Sequence, residues 1–406
     1  MSSQLYARKR VKPKDAPILQ DKDEYYGKDR KLVGRPSVFV RLLTLFAASI
    51  VAYPLLQIGK KGIFSTSSPL GVDLPMRSIQ TYVTVVLPSV VNTAGRPGRL
   101  DAIASTWGPA SHAIFVIHNV TDFSASPMSP KSEIVLQRYP QNLLVPPEIT
   151  PNDGLLRLNF VIRTIFEQVD PDFAFFVNDH TYVIPEHMCS YLSEKSPDQH
   201  LYAGHALHNQ NNAFNTGAAG YFLSRKTMQG LVQKWNENNA ACLLTNVTSR
   251  WLHENPGLVT AACLDTEMGV KAIDTRENGA HRFHVFGLIA TYTGTVDQWY
   301  INKHYHLKDV EGFNGSYAAV QAGEACCAKE TITFHYVEAL EAKALFHIRQ
   351  QVLNQPHISN AELKATMINK WPSEQSALGP YSRPLPDQGD TDSWRVLLIV
   401  LRWIST

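Results

Sequence analysis

The chain has 406 residues, 44% of them hydrophobic and 18% charged, with a formal net charge of +2. That composition excludes a disordered or fibrous chain and supplies core for one large domain or two ordinary ones. It gives no case for nucleic acid as a partner.

The charge asymmetry lies at the start. Residues 1–41 carry a run of Lys and Arg from Arg8 to Arg41 with little apolar patterning. "LLTLFAASIVAYPLLQI", Leu42 to Ile58, follows without a charge and is closed by Lys60-Lys61. At about 17 residues it meets the lower limit for a spanning helix; a buried core helix is the other reading. The basic head predicts a cytosolic N-terminus, a signal-anchor over 42–58 and a lumenal remainder. The sequons at Asn119, Asn246 and Asn314 all fall after that segment, as does every cysteine. An oxidising lumen permits two disulfides among Cys189, Cys242, Cys263, Cys326 and Cys327, with one thiol over and the pairing open. The chain reads as a single-pass type II protein of the secretory pathway.

Residues 59–79, rich in Ser, Gly and Pro, predict a short stem. "YVTVVL" (82–87) then predicts a strand, "RLDAIASTWG" (99–108) a helix, and "HAIFVIHN" (112–119) and "SEIVLQRY" (132–139) two more strands. In "GLLRLNFVIRTIFEQVD", Leu155, Leu158, Ile162, Ile165, Phe166 and Val169 recur at helical spacing and lead into a strand over 173–177. This alternation implies a mainly parallel sheet flanked by helices, the Rossmann-like arrangement of an α/β fold. "LYAGHAL" (201–207) predicts a further strand, and 214–235 a Gly-rich turn, a strand and a helix. "ITFHYVEALEAKALFHIRQQV" closes the domain with a strand and a helix, near 355. Beyond 356 runs a tail rich in Pro, Ser and Gln. It ends in "WRVLLIVLRWI" (394–404), too short to span a bilayer and open to reading as a core strand or an interfacial helix.

Three stretches carry chemistry. "FVNDHTYVI" delivers Asn178, Asp179 and His180 at the carboxyl end of a strand, where open α/β sheets place their ligands. Asp and His together suit manganese better than calcium; an Asx-type turn is the bland alternative. "FNTGAAGYFLS" brings Gly217 and Gly220 together with Ala218 and Ala219, a backbone that allows close approach of a ligand or of another strand. "CLDTEMGVKAIDTRENGAHRFHVF" offers Asp265 and Glu267 as bases and places His284 between aromatic residues. A helix cap or a structural histidine would explain the same residues.

In their order these motifs resemble the Fringe-like β1,3-glycosyltransferases, glycosyltransferase family 31. "RLDAIASTWG" resembles that family's R-x-x-A-x-x-x-T-W-G, "FVNDHTYVI" its Asp-Asp-Asp-Thr-Tyr-Val metal motif, "FNTGAAGYFLS" its S-G-G-A-G-Y-x-L-S and "LDTEMG" its E-D-x-x-x-G. "RFHVF", "WYINKHYH", the vicinal Cys326-Cys327 and "TFHYVEA" resemble the core 1 synthase branch, and the similarity spans about residues 80–345. The resemblance implies a GT-A fold and inverting transfer of galactose from UDP-galactose to the 3-hydroxyl of GalNAc-Ser/Thr or a related glycoprotein or glycopeptide acceptor. It implies a Golgi or ER membrane setting, with a homodimer as a further expected assembly. Asp265 would be the base, and Asp179, His180 and His284 would hold Mn2+. Arg99, Trp107, Asn178 and Gly217 would lie on the donor, and Trp299, Tyr300 and Tyr336 on the acceptor. Two of the family's three aspartates are replaced here, by Asn178 and His180. A non-catalytic relative, acting as chaperone or sugar-binding partner of a transferase, is the competing expectation.

Overall fold

Strand β4 (Phe173–Asn178) shows how the sequence builds the centre of the molecule. Its side chains alternate: Phe173, Phe175 and Val177 enter one apolar core and Ala174 and Phe176 the other. A strand buried on both faces reads as a continuous apolar run rather than as alternation. Fully burying each of the Phe and Val side chains contributes about 1.5–3 kcal/mol.

A computed structural model describes residues 82–88, 96–111, 113–119, 142–150, 153–209, 212–243, 256–273, 275–295, 321–373, 378 and 382–405. The described residues fall within one compact unit. The expected anchor, stem and 132–139 strand lie outside them, as do Asn246, Trp299, Tyr300 and Asn314. Among the described residues no helix is long and apolar enough to cross a membrane.

Around β4 the strands β1 (Tyr82–Leu87), β2 (Ile114–Asn119) and β3 (Asn142–Val145) run parallel, and β9 (Tyr221–Ser224) and β6 (Tyr202–Gly204) complete a six-stranded sheet in the order β3-β2-β1-β4-β9-β6. β9 is antiparallel to β4 and to β6. The fold is therefore mixed α/β, with a mixed sheet flanked by helices. Asn119, the first sequon residue, closes β2 opposite Val145. A small sheet joins β5 (Tyr182–Val183) to β10 (Phe283–His284) and β11 (Thr333–Phe334), and β7 (Ala206–Asn209) pairs with β8 (Asn212–Asn215). The run expected as one strand over 201–207 is split between two sheets. It bends at His205, just after Gly204, where a Cβ would stand 2.6 Å from the Gly220 carbonyl oxygen.

One core lies against α1 (Arg96–Ser105), α3 (Pro185–Ser193), α7 (Leu288–Thr293) and α8 (Ala339–Asn354). The other lies against α2 (Gly154–Thr164), α4 (Arg225–Asn236) and α6 (Pro256–Met268). Asp153 caps α2 by accepting the Leu156 N–H at 3.3 Å. The last expected helical turn is a π turn over Ile165–Val169, which leaves Val169 36% exposed although the helical stripe would bury it. The short helix α5 (Ala240–Leu243) is tied to α6 by the Cys242–Cys263 disulfide. Cys326 and Cys327 form the second disulfide, and Cys189 is the free thiol.

The stretch beyond 356 folds back onto the first core as α9 (Asn360–Lys370) and α10 (Thr391–Trp403). The 394–404 segment is thus a packed amphipathic helix: Trp394, Leu397, Leu398, Val400 and Leu401 are buried. It is neither a core strand nor an interfacial helix. Arg349 Nε donates to the Ile404 carbonyl at 3.0 Å, and Ser382 Oγ donates to Glu341 Oε2 at 2.5 Å.

Candidate functional site

The end of β4 sends neighbouring side chains to opposite faces, as strand alternation requires. Asn178 lies on the Phe176 side and Asp179 on the Phe175 side. Between them the chain turns: Asn178 Oδ1 accepts the His180 N–H at 2.6 Å, and the Thr181 N–H reaches the Asn178 carbonyl at 3.1 Å. That is an Asx-type turn. It is steadied on its far side by Val337, whose N–H donates to the His180 carbonyl at 2.9 Å.

On the Asp179 side the site is closed. Arg99, from α1, donates Nε–H to Asp179 Oδ2 at 2.9 Å, with the side chains 1% and 0% exposed. Glu338, at the N-terminus of α8, places Oε2 3.6 Å from Arg99 Nη1 and Oε1 3.2 Å from His180 Nδ1. The second contact has the distance of an ion pair but not hydrogen-bond alignment. Burial works to raise the Glu338 carboxyl, yet His180 and Arg99 outweigh it and hold the group below the ordinary glutamate value. Arg99 and Asp179 line a void of about 10 Å³ with Trp107, space for a single water at most. Behind His180, burial first and then the proximity of the His180 ring push the His335 imidazole down to about 3. Tyr336 beside it takes a positive φ of 57° and packs its ring 4.0 Å from that of His335.

His284 stands elsewhere. Its ring stacks on Phe334 at 4.7 Å, and Nε2 lies 3.4 Å from Thr331 Oγ1. Full burial, then the charges of His281 and His205, hold it well below the usual histidine value, so it is neutral. Asp265 sits on the last turn of α6, where its carbonyl accepts the Gly269 N–H at 3.1 Å. Asp179, His180 and His284 are therefore not brought together as ligands. No group of three His, Cys, Asp or Glu among the described residues could hold a metal ion. Asp179 is fully enclosed and already bonded, and His284 belongs to a separate histidine cluster. The donor set does not fit Mn2+.

On the Asn178 side the site is open. A cleft of about 320 Å³ lies beyond the carboxyl ends of β1 and β4, lined by Leu87, Phe176, Asn178, Phe214, Thr216 and Gly217 among others. Arg157 lines it from α2, 7% exposed, with Nη2 donating to the Ile117 carbonyl at 3.3 Å. Pro256, Gly257 and Leu258 line it from the start of α6. A helix N-terminus and a nearly buried guanidinium both favour an anion. No carboxylate or imidazole stands among the described lining residues. Asp265 is seven residues beyond Leu258, about 10 Å along the helix axis. Tyr336 does not line the cleft either.

The small-residue turn is pinned beside the cleft by two threonines. Thr181 Oγ1 donates to the Ala218 carbonyl at 3.0 Å and Thr333 Oγ1 to that of Ala219 at 2.6 Å. The two glycines have different tasks. Gly220, at φ 86°, leaves no room for a Cβ, which would stand 2.9 Å from Phe175 and Val177. Gly217 is exposed, and a Cβ there would meet only the Tyr221 ring, at 4.0 Å.

Sequence reasoning passed over Arg157 and Glu338. Arg157 stands on the α2 face that carries Leu158 and Val161, and an Arg on the apolar face of a helix is a visible signal. Glu338, in the loop after β11, gives none until the fold brings it to His180. No known protein-family model matches the chain.

Proposed function

We propose that the domain is a GT-A-type inverting glycosyltransferase that takes UDP-galactose into the cleft and moves galactose to the 3-hydroxyl of GalNAc-Ser/Thr or a related acceptor. The observation that carries this reading is the cleft itself. It lies where an open α/β sheet binds ligands, and it is lined by Asn178 and Gly217, two of the residues that the resemblance puts on the donor. Arg157 and the start of α6 supply positive potential for a diphosphate without any ion. Asn178 Oδ1 is engaged in the turn, which leaves its amide N–H groups as donors toward ribose or phosphate. The role of Asp265 as base rests on the resemblance alone.

A second reading, a non-catalytic sugar-nucleotide or sugar-binding partner of a transferase, is favoured by one observation: the described lining residues offer no acid or imidazole to take the acceptor proton. Incubating the full chain with UDP-galactose and a GalNAc-α-aryl acceptor separates the two, with Asp265→Asn as control. Product above that control supports transfer. UDP binding without product supports a sugar-nucleotide-binding partner, and neither binding nor product sinks transfer and nucleotide binding alike.

A further inference from the structure

We infer that the corner formed by Arg99, Asp179, His180 and Glu338 is a closed ion-pair assembly standing in place of a divalent-metal site, so that nucleotide binding in the cleft is independent of divalent cations. The second half of this inference rests on the nucleotide reading above; the first half does not.

Three observations converge on it. The first is access. Asp179 is the one acidic residue left in the motif, and its side chain is 0% exposed with Oδ2 bonded to Arg99 at 2.9 Å. An incoming ion would have to displace a guanidinium that is itself 1% exposed and cannot give up its charge by deprotonation.

The second is charge. A divalent cation is held by uncompensated carboxylates, and the second carboxylate on Arg99, that of Glu338, already faces both Arg99 and His180. The strand end therefore turns both carboxylates onto one guanidinium, with the His180 ring set against Glu338 at 3.2 Å.

The third is direction. Asp179 continues the face of Phe173, Phe175 and Val177, the face packed against α1 and α8. The cleft lies beside Phe176 and Asn178 and reaches Val177, but Asp179 does not line it. An ion held by Asp179 would be turned away from a diphosphate in that cleft. The cleft brings its own cation, Arg157, and the start of α6.

The test uses the full chain in two arms. In the first, Mn2+ is titrated into the protein alone and the free-ion paramagnetic resonance signal is followed. The expected result is no loss of free ion at equimolar protein, and stoichiometric loss overturns the inference. In the second, UDP is titrated in Mn2+ and again in excess chelator. The expected dissociation constants agree within about twofold, and a tenfold or larger weakening in chelator overturns the inference. If UDP binds in neither buffer, the nucleotide reading fails and with it the second half, while the Mn2+ arm alone decides the first half.

Discussion

The two faces of the β4 terminus are one residue apart in sequence and opposite in physics. On one face Asn178 borders an open cleft with a nearly buried guanidinium and the first residues of a helix. On the other, Asp179 is enclosed with Arg99, no more than one water fits beside them, and a partly exposed Glu338 backs the pair. The difference teaches that a polar motif at a strand end is not one site by virtue of being contiguous. Alternation divides it, and each half is then judged by what the packed helices bring to it.

The sharpest way to break this comparison is to remove one half of the closed pair. Arg99→Met leaves the Asp179 charge buried without its partner and should cost about 3–5 kcal/mol of unfolding free energy, read by urea denaturation. Arg99→Met combined with Asp179→Asn should recover most of that loss. If the single change costs under about 1 kcal/mol, the pair is behaving as an exposed one and the closed description is wrong.

A smaller effect tests the scaffold behind the open face. Replacing Cys242 and Cys263 by Ser opens the cross-link between α5 and α6, whose sequence separation is 21. The expected loss is about 3 kcal/mol. UDP affinity should fall with it, because the start of α6 lines the cleft.

On the closed face, Glu341 sets a pH dependence. Burial, only partly offset by Ser382, pushes its carboxyl from the ordinary 4.5 up to about 7. The folded chain then keeps a proton that the unfolded chain releases. This contribution is complete below about pH 4.5 and is lost as pH rises through about 7. Glu341→Gln should therefore gain about 3 kcal/mol over wild type at pH 8 and almost nothing at pH 4. Equal stability differences at the two pH values would show that Glu341 does not titrate in this window.

The layout of the sheet was legible in large part because its signals are local. The apolar runs of β1, β2 and β4 and the helical spacing of α2 each report burial that the observed sheet supplies. β3 was not legible: "NLLV" is four residues long, with Leu144 50% exposed. α9 carried a readable start, since Ser359 and Glu362 form a capping box, but the surrounding Pro, Ser and Gln masked it. "WRVLLIVLRWI" stayed ambiguous because a short apolar run does not by itself choose between periods; packing chose the helix. At the site, the pairing of Arg99 with Asp179 joins residues 80 apart, and that of His180 with Glu338 spans a longer loop still. Long-range partners of this kind leave no periodicity in the chain. That is why the motif pointed to a metal corner and the fold delivered an ion pair.

The central claim, that the open face of the β4 terminus is where a sugar nucleotide binds, is tested most directly by filling that face. Gly217→Trp places a large ring at an exposed position where a Cβ meets no close neighbour, so unfolding free energy should change by no more than about 0.5 kcal/mol. Calorimetric titration of UDP-galactose into wild type and this variant is the measurement. The account predicts binding by wild type and at least a tenfold loss in the variant at unchanged stability. Equal affinity in the two proteins, or no binding by wild type, would contradict it.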